Sequence, residues 1–155
     1  MTGKRKAKQE RRGQASDLID HMLAERHQLL ALLLQVSGIK MDAPAKADHD
    51  LLNEFCQVLV DYIAAGHFGL YERIIEKKER RKGVSDLAVK IYPVIDETTQ
   101  LSLAFNERYD SAKAGRDLSH LPQDLSRLGE ALTARIELED QLISRMLEPR
   151  NPVQA

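Results

Sequence analysis

The sequence predicts an all-α protein, a single-domain antiparallel helical bundle with a basic, disordered N-terminal tail. Apolar residues recur at three-and-four spacing through several long segments, no stretch alternates with the period of a strand, and only five Pro and eight Gly punctuate 155 residues. Amphipathic stripes of this kind bury one another in an antiparallel bundle. The chain is long enough for one domain with a real core and too short for two ordinary ones. The expected organisation is a tail over 1–15, a bundle over 16–148 and a second disordered tail over 149–155.

The first helix is expected to open at Ser16 as its N-cap, with Asp17 and Asp20 in the first turn where the helix dipole favours anions, and to close at Gly38. Its apolar rows are Leu18, Met22, Leu29, Leu33 and Ile19, Leu23, Leu30, Leu34. Residues 29–34 are apolar around the whole circumference, so this half should be surrounded by other helices or covered by a partner, as in a central helix. Residues 39–47, with Pro44, read as a loop, and Asp48 or Asp50 caps a second helix whose face of Leu52, Phe55, Leu59 and Ile63 leads to Gly66. Gly66 reads as the end or a sharp break of that helix. A third then starts near His67 and runs to about Arg81, where the cations of 77–82 complement the dipole. Ser85 is expected to cap a fourth helix, kinked or interrupted at Pro93 and continuing to about Ala112. After a loop over 115–120, Pro122 suits the first turn of a last helix. That helix carries Leu125, Leu128, Leu132, Ile136, Glu139, Leu142, Ile143 and Met146 at helical spacing and ends before Pro149.

Composition narrows the function classes. The longest apolar run, residues 29–34, is six residues, against the roughly 20 needed to span a bilayer. No apolar stretch closely follows the basic N-terminus, so it does not read as a secretory signal. A lone Cys56 permits no internal disulfide, which suits a cytoplasmic protein; beside the core residue Phe55 it reads as a buried small hydrophobe. The net charge of −1 conceals an asymmetry, because residues 1–12 hold six Lys/Arg against Glu10 alone, a charge of +5, and the remainder is −6. An acidic body argues against duplex DNA as the ligand of the folded domain, since DNA affinity rests largely on neutralising phosphates, and suits a basic protein partner. The tail has two readings, a nucleic-acid contact or a solvated extension, and its lack of apolar residues favours the second.

On the second helix Asp50, Glu54, Gln57 and Asp61 fall at i, i+4, i+7 and i+11, a polar stripe opposite the apolar one. Asp61 is then an exposed anion at a helix end that prefers a cation, and such a carboxylate invites an external Arg or Lys. A solvated surface Asp is the plain reading against which that role is weighed. Phe68, Tyr71 and Ile75 share a face: Phe68 reads as core more than contact, and Tyr71 and Glu72 fit either role. His67 reads as a hydrogen-bonded turn residue before a pH-sensitive contact. A carboxylate-bridged di-iron bundle needs Glu-x-x-His twice, and the chain has none; nor has it a Gly-rich phosphate loop, Cys/His zinc spacing or a Gly-x-Ser-x-Gly elbow. Asp17, His21 and Glu25 at i, i+4 and i+8 read as a solvated polar face before a weak metal face. No cofactor and no metal are expected.

The stretch from Phe55 to Glu72 carries a more specific signal. Within it, Asp61-Tyr62-Ile63-Ala64-Ala65-Gly66-His67-Phe68-Gly69-Leu70-Tyr71-Glu72 stands where the Rsd/AlgQ family, bacterial regulators that bind the primary sigma factor of RNA polymerase, carries Asp-Tyr-x-Ser-Ala-Gly-His-Phe-x-x-Tyr-Glu. The chain resembles that family over 17–147, most strongly over 55–75, again over 129–140, more weakly from 18–20 to 38–40, and thinly over 76–116. It departs from the pattern in the first helix, where the family's Asp-Arg-Trp-Leu is Asp20-His21-Met22-Leu23 and no Trp occurs anywhere, and in its basic N-terminal extension.

The resemblance implies an anti-sigma protein. Such a protein binds the C-terminal, promoter −35-reading domain of the primary sigma factor and withdraws sigma from core polymerase and promoters. By position, Asp61 matches the family Asp expected to pair with a sigma Arg, and His67, Phe68, Tyr71 and Glu72 match the rest of the motif. Asp50 and Glu54 join the expected partner-binding set from the stripe on the second helix. The alternative is a helical adaptor that keeps the fold and binds another cytoplasmic regulatory protein; an enzyme ranks third.

Overall fold

The computed structural model describes the backbone over 2–75, 82–110 and 116–147, with side chains over 16–72, at Ile74, and over 83–110 and 116–147. These residues form α1 (Thr2–Ser37), α2 (Lys46–Gly66), a π-helical turn (His67–Tyr71), α3 (Glu72–Ile75), α4 (Lys82–Arg108) and α5 (Leu121–Leu147), and no strand occurs among them. A short connection over 38–45 folds α2 back along α1, and α5 packs along α4 in the same way; α2 also meets α4 and α1 meets α5, which closes an antiparallel bundle. One apolar core runs through it, including Ile19, Met22 and Leu29 of α1, Leu52, Phe55 and Leu59 of α2, Ile91 and Ile95 of α4, and Leu128, Leu132 and Leu142 of α5. Phe55 and Phe105 meet edge to face at 5.8 Å, joining α2 to α4.

Helix α1 begins at Thr2, so Ser16 lies inside it and is not its cap. Residues 2–15 are mostly Lys, Arg, Gln, Glu and Ala, which are good helix formers; Gly3 falls in the first turn, and Gly13 costs only about 1 kcal/mol in a helix already nucleated downstream. The backbone is helical from Thr2, and the side chains over 2–15 and the expected tail over 149–155 lie outside the described residues. Deleting residues 1–12 should leave the bundle folded, since the segment offers no apolar row to the core. Circular dichroism should fall only in proportion to the residues removed, with the melting midpoint unchanged.

The buried row of α1 is Ile19, Met22, Arg26, Leu29, Leu32 and Val36, while Leu18, Leu23 and Leu30 are partly exposed and Leu34 is 77% exposed. Helix α1 is therefore an outer helix rather than the expected central one: α2, the π-turn and α5 cover one side of it. Helix α2 is capped at Ala45, whose extended backbone N–H donates to Asp48 Oδ2 at 2.8 Å, so Asp48 acts from inside the first turn.

Helix α4 starts at Lys82, ahead of the expected Ser85 cap, and runs through Pro93 to Arg108 without interruption. Pro93 removes one backbone donor, to the Val89 carbonyl, and both residues face solvent, where water can replace the lost bond. The expected end of the third helix, residues 76–81, falls outside the described residues. The approach to α5 is tied to α2 by Arg116, which donates to Asn53 Oδ1 at 2.6 Å, Tyr109 O at 3.0 Å and His49 O at 3.1 Å. Pro122 occupies the first turn of α5, as its spacing predicts.

Candidate recognition face

Helix α2 does not stop at Gly66. Gly66 keeps right-handed helical dihedrals, φ −63° and ψ −46°, and the chain passes into the π-helical turn, where the N–H of Glu72 donates to the carbonyl of His67 five residues back. The inserted residue shows in the burial pattern, since Gly69, Leu70 and Tyr71 are buried in succession. Both glycines permit close approach rather than a turn. A Cβ on Gly66 would lie 3.1 Å from Glu139 Oε2 and 3.4 Å from an Arg135 guanidinium nitrogen, and one on Gly69 would lie 3.5 Å from Leu18 Cβ.

Outside, Asp50, Glu54, Gln57 and Asp61 are all exposed along α2, as the spacing predicts. Phe68 follows Asp50 by eighteen residues, five turns at 3.6 residues each, so it lies on the same line about 27 Å further along. Its ring is 64% exposed and stands edge-on to His67, with centroids 5.0 Å apart. Phe68 is thus a surface aromatic and not the core residue its i, i+3, i+7 spacing suggests. The π-turn shifts the helical phase after it, so Tyr71 takes the inward position. Tyr71 is 3% exposed and its hydroxyl has no hydrogen-bond partner among the described residues; burial, with the Glu139 charge nearby, pushes its ionisation far above the usual range. Asp50, Glu54, Asp61 and Phe68 share one face, His67 flanks it, Glu72 is half-buried at its end, and Tyr71 lies beneath. Asp61 is not at a helix end, because the helical run continues to Ile75. What positions it is Gln57, whose Nε2 donates to Oδ1 at 3.1 Å, leaving acceptor capacity for an incoming cation.

Beneath this face lies a polar network that joins α1, α2, α4 and α5. Glu139 and Arg135 are fully buried one turn apart on α5, with Arg135 Nε donating to Glu139 Oε2 at 3.3 Å. Arg135 also donates to Thr99 Oγ1 at 2.7 Å, Thr98 Oγ1 at 3.2 Å and the Ile95 carbonyl at 3.3 Å on α4. From α2 the Tyr62 hydroxyl donates to Glu139 Oε1 and accepts from Arg26 Nε of α1 at 3.1 Å. Arg26 further donates to Asp140 Oδ1 at 2.5 Å, and its NH2 lies 3.6 Å from Glu139 Oε1. Burial alone would lower the Arg26 pKa, but Tyr62 and Asp140 outweigh it and hold the guanidinium above its ordinary value. Burial and then the Glu139 carboxylate push the Tyr62 phenol upward, so it stays a donor. Helical spacing places Glu139 in the apolar face of the last helix and does not by itself single out Arg26 or Arg135. Their signal was charge in phase with an apolar row: Arg26 sits between Met22 and Leu29, Arg135 between Leu132 and Leu142.

Cys56 is buried and unbridged, and burial pushes its thiol up from 9.0 to about 11, so it packs as a small hydrophobe. At pH 8 the native thiol should alkylate with iodoacetamide on the order of 100-fold more slowly than in the unfolded chain, in proportion to its thiolate fraction. Equal rates would place Cys56 in an open environment. His21 Nε2 lies 3.8 Å from Glu25 Oε1 on the surface of α1, and no cluster of three metal-ligating side chains occurs among the described residues.

Chemically, a line of carboxylates is able to meet cations, and an exposed aromatic at its end is able to fill a pocket. The class so defined is a helical bundle with an exposed anionic, aromatic-tipped face. The chain belongs to the Rsd/AlgQ family, described as regulators of the RNA polymerase sigma(70) subunit, which matches residues 1–147. It is 42% identical over 144 residues to the regulator of sigma D of Yersinia enterocolitica, covering 86% of this chain and 83% of that protein. It is 40% identical over 140 residues to the regulator of sigma D of Salmonella arizonae, covering 86% of this chain and 84% of that one.

Proposed function

We propose that this protein is an anti-sigma factor that binds the C-terminal, promoter −35-reading domain of the primary sigma factor and keeps it from core polymerase and promoters. The observation that carries the reading is the exposed line Asp50, Glu54, Asp61 and Phe68, which falls within and just before the family motif. A domain that reads DNA presents a basic surface to phosphates, and the body of this chain, at −6 outside residues 1–12, is its electrostatic complement. Phe68, exposed at the end of this line, supplies an apolar anchor of the kind that dominates binding energy. The protein acts by occupancy, as a non-enzymatic regulator in the cytoplasm, where its partner works. No helix among the described residues is long and apolar enough to cross a membrane.

Calorimetric titration with the isolated sigma C-terminal domain tests this directly, with a saturable complex as the expected result. Absence of binding to that domain, alongside capture of a different regulatory protein, would instead support the adaptor reading. Association should also slow steeply as salt rises, because exposed charges are screened beyond about 8 Å at physiological ionic strength. An on-rate that is flat between low and high salt would point to an interface through the exposed leucines of α1.

A further inference from the structure

The first three turns of α1 hold the +5 excess of residues 1–12, and helical register gathers it on one side. Because the backbone is helical from Thr2, successive positions advance by about 100°, and Lys4, Arg5, Lys8, Arg11 and Arg12 fall within one arc of about 120°. Lys6 lies off the arc, and Glu10, the single anion among residues 1–12, falls on the opposite side. Asp17 and Asp20, the next anions along α1, also fall outside it. Composition alone favours a solvated extension here, but the helix turns the same residues into a stripe of five cations about 12 Å long. Like charges three and four residues apart repel, as in the pairs Lys4 and Lys8, Lys8 and Arg11, and Lys8 and Arg12. The stripe is therefore held against its own repulsion, which an anionic surface relieves.

We propose that this stripe is a docking face for duplex DNA, met through its phosphates and without regard to sequence. The contact is separate from the anti-sigma face and does not depend on it. A helix about 10–12 Å across fits a major groove about 12 Å wide, where cations spread over a third of its circumference meet the phosphates of both strands. The remainder of the chain, at −6, repels phosphate, so the duplex is engaged by this part of α1 and not by the bundle. A membrane surface is the poorer fit. An interfacial helix needs large apolar residues opposite its cations, and the off-arc positions here are Thr2, Gly3, Lys6, Ala7, Gln9 and Glu10.

Fluorescence anisotropy of a labelled duplex of about 20 base pairs, titrated with the full-length protein, tests this face. At about 50 mM salt a micromolar complex is expected, equal within about threefold for two unrelated sequences. Log affinity should fall with log salt at a slope of about −3 to −5, a loss of roughly 60- to 1,000-fold between 50 and 200 mM, as three to five neutralised phosphates require. Lys4→Gln, Arg5→Gln, Lys8→Gln, Arg11→Gln and Arg12→Gln together keep good helix formers and should weaken binding by about 30-fold or more, while Lys6→Gln should change it by less than about threefold. Gln9→Pro keeps every charge but breaks the helix within the stripe, and should weaken binding by about fivefold or more. Circular dichroism checks that the bundle is intact in each variant. No complex at about 50 mM salt, a slope shallower than about −2, or a preference of more than about tenfold between the two sequences overturns the proposal. Gln9→Pro binding as tightly as wild type shows a flexible polycation and overturns the helical face. Tighter binding to phosphatidylserine vesicles than to the duplex at the same salt overturns DNA as its occupant.

Discussion

Glu139→Ala should cost about 3–5 kcal/mol of folding stability, because it leaves the buried Arg135 without its carboxylate and deprives Arg26 of its nearest buried anion. In a domain of this size the melting midpoint should fall by roughly 10 °C or more. A double replacement, Arg135→Met with Glu139→Leu, should cost far less, since it removes both buried charges together and fills the space with apolar atoms. Thermal melts of the two proteins check the argument. Equal losses would mean that volume rather than uncompensated charge governs this part of the core.

Asp61→Ala should do the opposite, leaving the fold alone while damaging recognition. Asp61 is exposed in the middle of a continuous helical run, so its removal opens no cavity and stability should change by less than about 1 kcal/mol. If it pairs with a sigma Arg that becomes desolvated, truncation leaves that cation unpaired at about 2–5 kcal/mol, or roughly 30-fold to several-thousand-fold in affinity. Phe68→Ala should lose a comparable amount through the missing aromatic anchor, about 2 kcal/mol or more. A sigma domain carrying Asp or Glu in place of the Arg should be partly rescued by Asp61→Arg, which a folding defect could not produce. Asp61→Ala binding within about threefold of wild type by calorimetry would show that the carboxylate is only surface.

The helical class and the line of Asp50, Glu54, Gln57 and Asp61 were legible in the chain, because both follow from local periodicity: a residue's place on a helix face depends only on its neighbours' spacing. The family motif likewise marked 61–72 without any coordinates. Its geometry did not follow from the motif. Gly66 reads locally as a helix end, since glycine is the commonest C-cap residue, yet its reason is a contact with Glu139 and Arg135 some seventy residues away in sequence. The helical run passes through Gly66 into the π-turn, so Asp61 has no helix end to repel it, and the turn's shift in phase leaves Phe68 facing solvent while Tyr71 is buried. Likewise, the all-round apolar stretch at 29–34 suggests a central helix, but which side of α1 stays open depends on where α2 and α5 pack. The sequence alone determined fold class, charge asymmetry and the acidic stripe, which are properties of spacing and composition. Only the tertiary structure decided the phase of the π-turn and the buried network beneath it, because both arise from side chains that meet across helices far apart in the chain.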